Sequence, residues 1–217
     1  MDTKRVAIAG SGTAGAATAL FLTRLGHEVT LFEKVENPAA IGAGVMLQPS
    51  GMRVLQELGL QDDILQMGAI VERLHATTSK GKVVLDLHYR DLDEKHYGVG
   101  LHRGVLFQTL YNAAQDQPVN IETGTDICEV TENGGGECSL ISSDQREFSG
   151  FQLVVIASGA RTNLRKAVGI PHTVKEYPWG ALWFVAENNN TITPKVLRQY
   201  LEGTHNAWHP TNRPRAP

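Results

Sequence analysis

The feature that most limits what this chain can become is Gly10-Ser11-Gly12-Thr13-Ala14-Gly15. It follows the run Arg5–Ala9 directly and opens the Ala- and Leu-rich run Thr13–Leu25. Each glycine meets a different steric need. Gly10 permits a tight turn out of a strand, and Gly12 removes a Cβ where a phosphate would approach the backbone. Gly15 lets a helix pack closely on a sheet, and Ala19 one turn later continues that small face. Arg5–Ala9 reads as a short parallel strand covered on both faces, and Gly26 as the close of the helix. His27–Glu33 alternates polar and apolar residues and ends in an acid. Strand, glycine turn, helix and strand together occupy the roughly 30 residues that a βαβ unit needs.

A glycine triplet alone is weak evidence, but here each element of the required context is present in order. The helix N-terminus offers unpaired N–H groups and a positive dipole to a pyrophosphate. Glu33, eighteen residues beyond Gly15, stands where a carboxylate accepts hydrogen bonds from ribose hydroxyls. The reading is a site for the ADP half of a dinucleotide on Gly10, Gly12, Thr13, Ala14, Gly15 and Glu33, with Lys34 and Ile127 placed alongside. The acid disfavours a 2′-phosphate, so NADP fits this site poorly. The βαβ unit does not separate FAD from NAD, because both carry ADP.

Bulk properties narrow the partners. A formal net charge of -3 gives no field that would draw nucleic acid or an anionic membrane, which leaves a small molecule as the expected partner. No stretch approaches the ~20 apolar residues of a membrane span. The glycines at 10, 12 and 15 interrupt the only segment resembling a signal peptide, so a cytoplasmic location is expected. Cys128 and Cys138 read as reduced, buried, small side chains. No metal site is expected: His205 and His209 lack further ligands and an intervening acid. Ser11 and Ser158 lie in glycine turns without a G-x-S-x-G elbow, so a hydrolase triad has little support. Arg213 and Arg215 are too few for a nucleic-acid patch.

Further along, the pattern predicts helices over Ser50–Leu58, Asp62–Met67 and Val105–Gln115, the last with Arg103 at its start. Ile70–Thr78 and Lys82–Tyr89 read as a hairpin, as do Asp126–Thr131 and Cys138–Ser142 around Asn133-Gly134-Gly135-Gly136. Leu153–Ala157 reads as a buried strand, Asn163–Val168 as a short helix, and Tyr177–Ala186, with Trp179, Trp183 and Phe184, as a strand.

Three further segments carry a family resemblance. They are Gly42-Ala43-Gly44-Val45-Met46-Leu47-Gln48-Pro49 with Leu58-Gly59-Leu60 after it, Leu101-His102-Arg103-Gly104-Val105-Leu106, and Leu153-Val154-Val155-Ile156-Ala157-Ser158-Gly159-Ala160-Arg161. Together with the glycine turn, they resemble the FAD-dependent aromatic hydroxylases, flavoprotein monooxygenases that include para-hydroxybenzoate and salicylate hydroxylases. The resemblance runs from about Lys4 to Leu201.

The resemblance implies FAD as cofactor and NADH or NADPH as co-substrate. In that family, reduced flavin and O2 form a C4a-hydroperoxide that passes one oxygen to a small, aromatic-type substrate, and the resemblance implies the same here. It adds Gly44, Val45 and Arg103 to the cofactor-binding set, with the loop after Gly42 beside the flavin. No protein acid or base is singled out, since the flavin does the chemistry.

Two departures stand out. Ser158 occupies a position where the family has an aspartate, and Gln152 occupies another. The family's third motif, a Gly-Asp followed by Ala-His and a proline loop, is absent, so the resemblance implies a C-terminally truncated member. The expected fold is α/β: a Rossmann-like FAD-binding domain over residues 1–172 with an inserted β-hairpin at about 70–97, then a partial β-rich substrate domain over 173–206 and an unstructured tail over 207–217. Two alternatives stay open at this point: a catalytically incompetent FAD-binding fragment, and an NAD-dependent dehydrogenase.

Overall fold

Arg5–Ala9 forms the first strand, β1, and its alternation explains its place. Val6 and Ile8 point to one side and Ala7 and Ala9 to the other, and all four are buried. The computed structural model describes residues 2–39, 42–166, 169, 171–176, 178, 180–182 and 193–201. After β1 come α1 (Thr13–Arg24), β2 (Glu28–Phe32), β3 (Gly44–Leu47), α2 (Pro49–Glu57), α3 (Gln61–Met67), β4 (Ala69–Val71), β5 (Arg73–Thr78) and β6 (Val83–His88). Then follow β7 (Gly98–His102), α4 (Arg103–Gln115), β8 (Val119–Glu122), β9 (Ile127–Asn133), β10 (Glu137–Ser142), β11 (Glu147–Phe151), β12 (Leu153–Ile156) and β13 (Val196–Leu201).

By chain contacts the molecule divides into two units, residues 1–39 with 107–180 and residues 40–106 with 181–217. In the first unit a parallel sheet runs in the order β12-β1-β2-β8. On one face Val6, Ile8, Val29 and Leu31 pack with Ala19 of α1. On the other, Ala7, Ala9 and Phe32 pack with Ile127, Leu140, Phe151 and Leu164. There Phe32 meets Phe148 edge-on at 4.8 Å between ring centroids, one contact of the antiparallel sheet β11-β10-β9. The parallel sheet is thus covered on both sides, as its apolar strands require.

Helix α1 ends as its sequence predicts. Gly26 lies in the left-handed region at φ 85°. Its N–H donates to the Thr23 carbonyl at 2.9 Å and the His27 N–H to Leu22 at 3.1 Å, which satisfies carbonyls the helix leaves open.

In the second unit, β3-β7-β4 and β13-β5-β6 form two three-stranded sheets. Helix α2 starts on Pro49, whose fixed φ and missing N–H suit a first helical turn. Leu197 of β13 packs with Val71 and Tyr89.

Several expectations need correction. The loop expected after Gly42 is in part a strand, since residues 44–47 pair antiparallel with β7. Ile70–Thr78 is not one strand: it breaks at Glu72, and its halves join different sheets. Cys128 is exposed rather than buried, since of β9 only Ile127 is buried, and Cys138 is half-buried; both are free thiols. Of the helix expected at Asn163–Val168, a 3-10 turn at Leu164–Lys166 is described. The strand expected over Tyr177–Ala186, with Trp179, Trp183 and Phe184, lies largely outside the described residues. So do His205, His209, Arg213, Arg215 and the tail. Among the described residues, no helix is long and apolar enough to cross a membrane.

Candidate functional site

The carboxyl ends of β12, β1 and β2 come together in the first unit, and the backbone ties them there. The Gly10 N–H donates to the Phe32 carbonyl and the Ala157 N–H to that of Ala9, each at 2.8 Å. Beyond these ends lies a cavity of about 220 Å³ lined in part by Gly10, Gly12, Glu33, Lys34, Ile127 and Ser158. The carboxyl edge of a parallel sheet is where α/β folds bind ligands.

The glycines of the turn divide the work differently from expectation. Gly10 sits at φ 105°, and a Cβ there would stand 2.7 Å from the Ala157 carbonyl oxygen. Gly15 is held against the turn itself, with Gly10 O 1.8 Å from its Cβ position, and only then against the Ala157 side chain at 3.4 Å. Gly12 faces open space, with nothing within 4 Å. It precedes α1 at φ -60° without a side-chain cap, and the first turn contains no acid. The leading N–H groups of α1 are therefore left for an anion. Thr13 and Ala14 sit on that exposed first turn.

Glu33 follows β2 and is half-buried. Its Oε2 accepts from the Ser11 hydroxyl at 2.6 Å and the Ser11 N–H at 3.1 Å, and its Oε1 from the Val35 N–H at 2.9 Å. The Thr125 N–H donates to the Glu33 carbonyl at 2.8 Å, joining the acid to the cavity wall at 125–127. Arg146 braces that wall by donating to Thr125 Oγ1 at 3.1 Å. Bonds from Ser142 and then Arg146 hold the Asp144 carboxyl below the usual carboxylate range. Tyr111 is pushed up by burial and, secondarily, by the charge of Glu33.

The structure thus brings Gly10, Gly12, Glu33, Lys34 and Ile127 to one cavity, with Thr13, Ala14 and Gly15 on the adjoining helix turn. Sequence reasoning did not include Thr125 and Asp126 in that wall; the turn glycine Gly124 was their only signal. It also missed the Ser11–Glu33 bond, signalled by a hydroxyl residue inside the turn and an acid at the end of the next strand. Ser158 lines the cavity and donates to Thr162 Oγ1 at 2.7 Å. Gln152 is a structural clamp: its side-chain oxygen accepts from the Arg5 N–H at 2.8 Å, and its own N–H donates to the Arg5 carbonyl at 3.0 Å.

Gly44, Val45 and Arg103 form a cluster of their own in the second unit. Gly44 and Val45 pair with His102 and Leu101. The Arg103 N–H donates to the Ala43 carbonyl at 2.8 Å, and its side chain lies along Gly42, where a Cβ would come within 3.3 Å. His102 Nδ1 accepts from the Gly104 N–H at 3.1 Å and so caps α4. Arg103 is exposed and makes no ion pair among the described residues. Nearby, the Tyr89 hydroxyl donates to Gln48 Oε1 at 2.7 Å, and burial pushes its ionisation up. No group of three or more metal-ligating side chains occurs among the described residues.

Comparison with known proteins gives a consistent outcome. The family described as FAD binding domain matches residues 3–214. Kynurenine 3-monooxygenase of Salinispora arenicola is 30% identical over 209 residues, covering 82% of this chain and 41% of that protein. 3-Hydroxybenzoate 6-hydroxylase of Klebsiella oxytoca is 30% identical over 131 residues, covering 58% of this chain and 33% of that one. Among solved structures, a mutant of 2-methyl-3-hydroxypyridine-5-carboxylic acid oxygenase superposes with a TM-score of 0.68 at 27% identity, covering 78% of this chain and 43% of that one. The chain spans less than half the length of each of these relatives.

Proposed function

The chain belongs to the FAD-binding-domain family, and from that premise we propose that it carries the cofactor-binding part of a flavoprotein monooxygenase. Its co-substrates would be O2 and NADH or NADPH, and its substrate a small aromatic-type molecule. The relatives include a monooxygenase named for kynurenine and a hydroxylase named for 3-hydroxybenzoate, which supports that substrate class.

The observation that carries the reading is the cavity at the sheet's carboxyl edge, which combines an uncapped helix N-terminus with a fixed carboxylate. These two features suit the pyrophosphate and the ribose of an ADP group. Gly12, Thr13, Ala14 and Gly15 would present N–H groups to the pyrophosphate, and the open space at Gly12 is the approach it needs. Glu33 would accept from the ribose, and Lys34 and Ile127 would border the adenosine. Gly44, Val45 and Arg103 would serve the remainder of the cofactor, with the Arg103 guanidinium supplying positive charge. Bound FAD supplies the redox and oxygen-transfer chemistry; the residues named here hold and orient it.

We take residues 1–172, with the hairpin near 70–97, as the FAD-binding portion and 173–206 as the start of a substrate-domain sheet. The pairing of β13 with β5 joins residues 196–201 to that hairpin in a sheet separate from the parallel one. A cytoplasmic location belongs to the same proposal.

The test is the visible absorption spectrum of the purified chain before and after adding excess FAD and desalting. Retained flavin bands support the reading, and NAD(P)H oxidation is measured next. A chain that stays colourless with excess FAD would sink it.

A further inference from the structure

We propose that Ser11 is a positioning residue for Glu33, its hydroxyl fixing the carboxylate in the orientation that receives a ribose hydroxyl of an adenine nucleotide. This rests on the reading that the cavity takes the ADP part of FAD.

Ser11 is fully buried and does not line the cavity, whereas Glu33 does. Its effect on a ligand must therefore pass through the carboxylate. The hydroxyl donates to Oε2 at 2.6 Å, the shortest of the three bonds on Glu33, and the bond is charge-assisted. The Ser11 N–H, at 3.1 Å on the same oxygen, would survive any substitution but proline. Val35 holds the other oxygen from the opposite side.

An ionised carboxylate offers about four acceptor sites, so three internal donors leave it with one unused. A glutamate without these bonds would lose its side-chain freedom each time a ligand arrived. Here folding has already fixed it. The residue type matters because an alanine or glycine at position 11 keeps the turn and the N–H bond but releases the stronger hold.

The experiment titrates ADP and 2′,3′-dideoxy-ADP calorimetrically into the wild-type chain, Ser11→Ala, Glu33→Gln and the double variant. Ser11→Ala is expected to weaken ADP about tenfold, equivalent to one charge-assisted hydrogen bond. It should leave dideoxy-ADP, which lacks the hydroxyls, unchanged. The double variant should bind ADP no more weakly than Glu33→Gln alone, since Ser11 then has no carboxylate to orient. Should Ser11→Ala fail to fold, Ser11→Cys, which keeps a similar volume and only a weak donor, carries the same expectation.

Equal loss for ADP and dideoxy-ADP would overturn the proposal, since it would mean that the turn itself had been damaged. Unchanged ADP affinity in Ser11→Ala, or losses that multiply in the double variant, would also overturn it. If the wild-type chain binds ADP and Glu33→Gln weakens it, the cofactor reading stands whatever Ser11 does. If the wild-type chain binds no ADP, both fall together.

Discussion

Gly10 and Gly15 meet inside the turn so closely that a Cβ on Gly15 would stand 1.8 Å from the Gly10 carbonyl oxygen. The obstacle is backbone, anchored by the Gly10 N–H bond to Phe32 at 2.8 Å, so it cannot swing aside as a side chain could. Gly15→Ala is expected to destabilise the chain by about 3 kcal/mol, the upper range for overpacking. Urea unfolding measures this; an unchanged midpoint would show that the turn can yield.

Gly12 should behave in the opposite way. Its φ of -60° is open to any residue, and nothing lies within 4 Å of its Cβ position. Gly12→Ala is expected to keep stability within about 0.5 kcal/mol, as for a surface site. It should weaken ADP about tenfold or more by placing a methyl group where the pyrophosphate approaches. Normal ADP affinity in a well-folded variant would place the phosphates elsewhere.

Arg103 offers a way to separate the two halves of the cofactor. Its backbone bond to Ala43 survives substitution, so Arg103→Ala removes the cation and its packing on Gly42 while leaving the start of α4 in place. The expected result is about tenfold weaker FAD, from one lost charge-assisted contact, with ADP affinity unchanged. Equal losses for FAD and ADP in parallel titrations would remove Arg103 from the flavin side.

The pair Arg73–Asp86 predicts a dependence on pH. Two bonds at 2.6 Å from the guanidinium, then its charge, hold the Asp86 carboxyl below the usual range. The folded state therefore prefers the ionised form. The stabilisation is present above the ordinary aspartate value of about 3.9 and is lost as pH falls through the lower, folded value. Asp86→Asn should melt slightly below the wild type at pH 7, and the gap should close on acidification. Melting curves between pH 7 and pH 2.5 that show a constant gap would mean that the charge contributes nothing.

What could be read from sequence was what is settled locally. β1 falls at Arg5–Ala9 and α1 begins at Thr13, as the pattern indicates, because an apolar run ended by Gly10 and an Ala-rich run each carry their own signal, whatever partners they later find. β8 went unread: it is four residues long and is defined by pairing with β2, which lies far earlier in the chain. β7 is diluted by Gly98 and Gly100 and owes its extension to β3 and β4 on either side. The break at Glu72 has a tertiary cause, since its N–H donates to the Lys195 carbonyl at 2.8 Å and its carboxylate pairs with the Lys195 ammonium at 2.5 Å. In the candidate site, Glu33 was legible from its place at the end of a strand. Its orientation was not, because that depends on where the Ser11 hydroxyl points.

The pairing of β1 with β12 joins Val6 to Leu153, and this separation has a consequence for how the protein is made. The glycine turn leaves the ribosome well before the cavity wall at Ala157, Ser158 and Gly159, which follows β12. A nascent chain that has reached only β11 carries the turn, α1 and β2, with one side of β1 unpaired and its apolar edge open to mispairing. Closure waits on a contact of very long sequence separation, the slow kind to form. The turn is thus made long before the wall that completes its site, and nucleotide binding would report that the parallel sheet has closed.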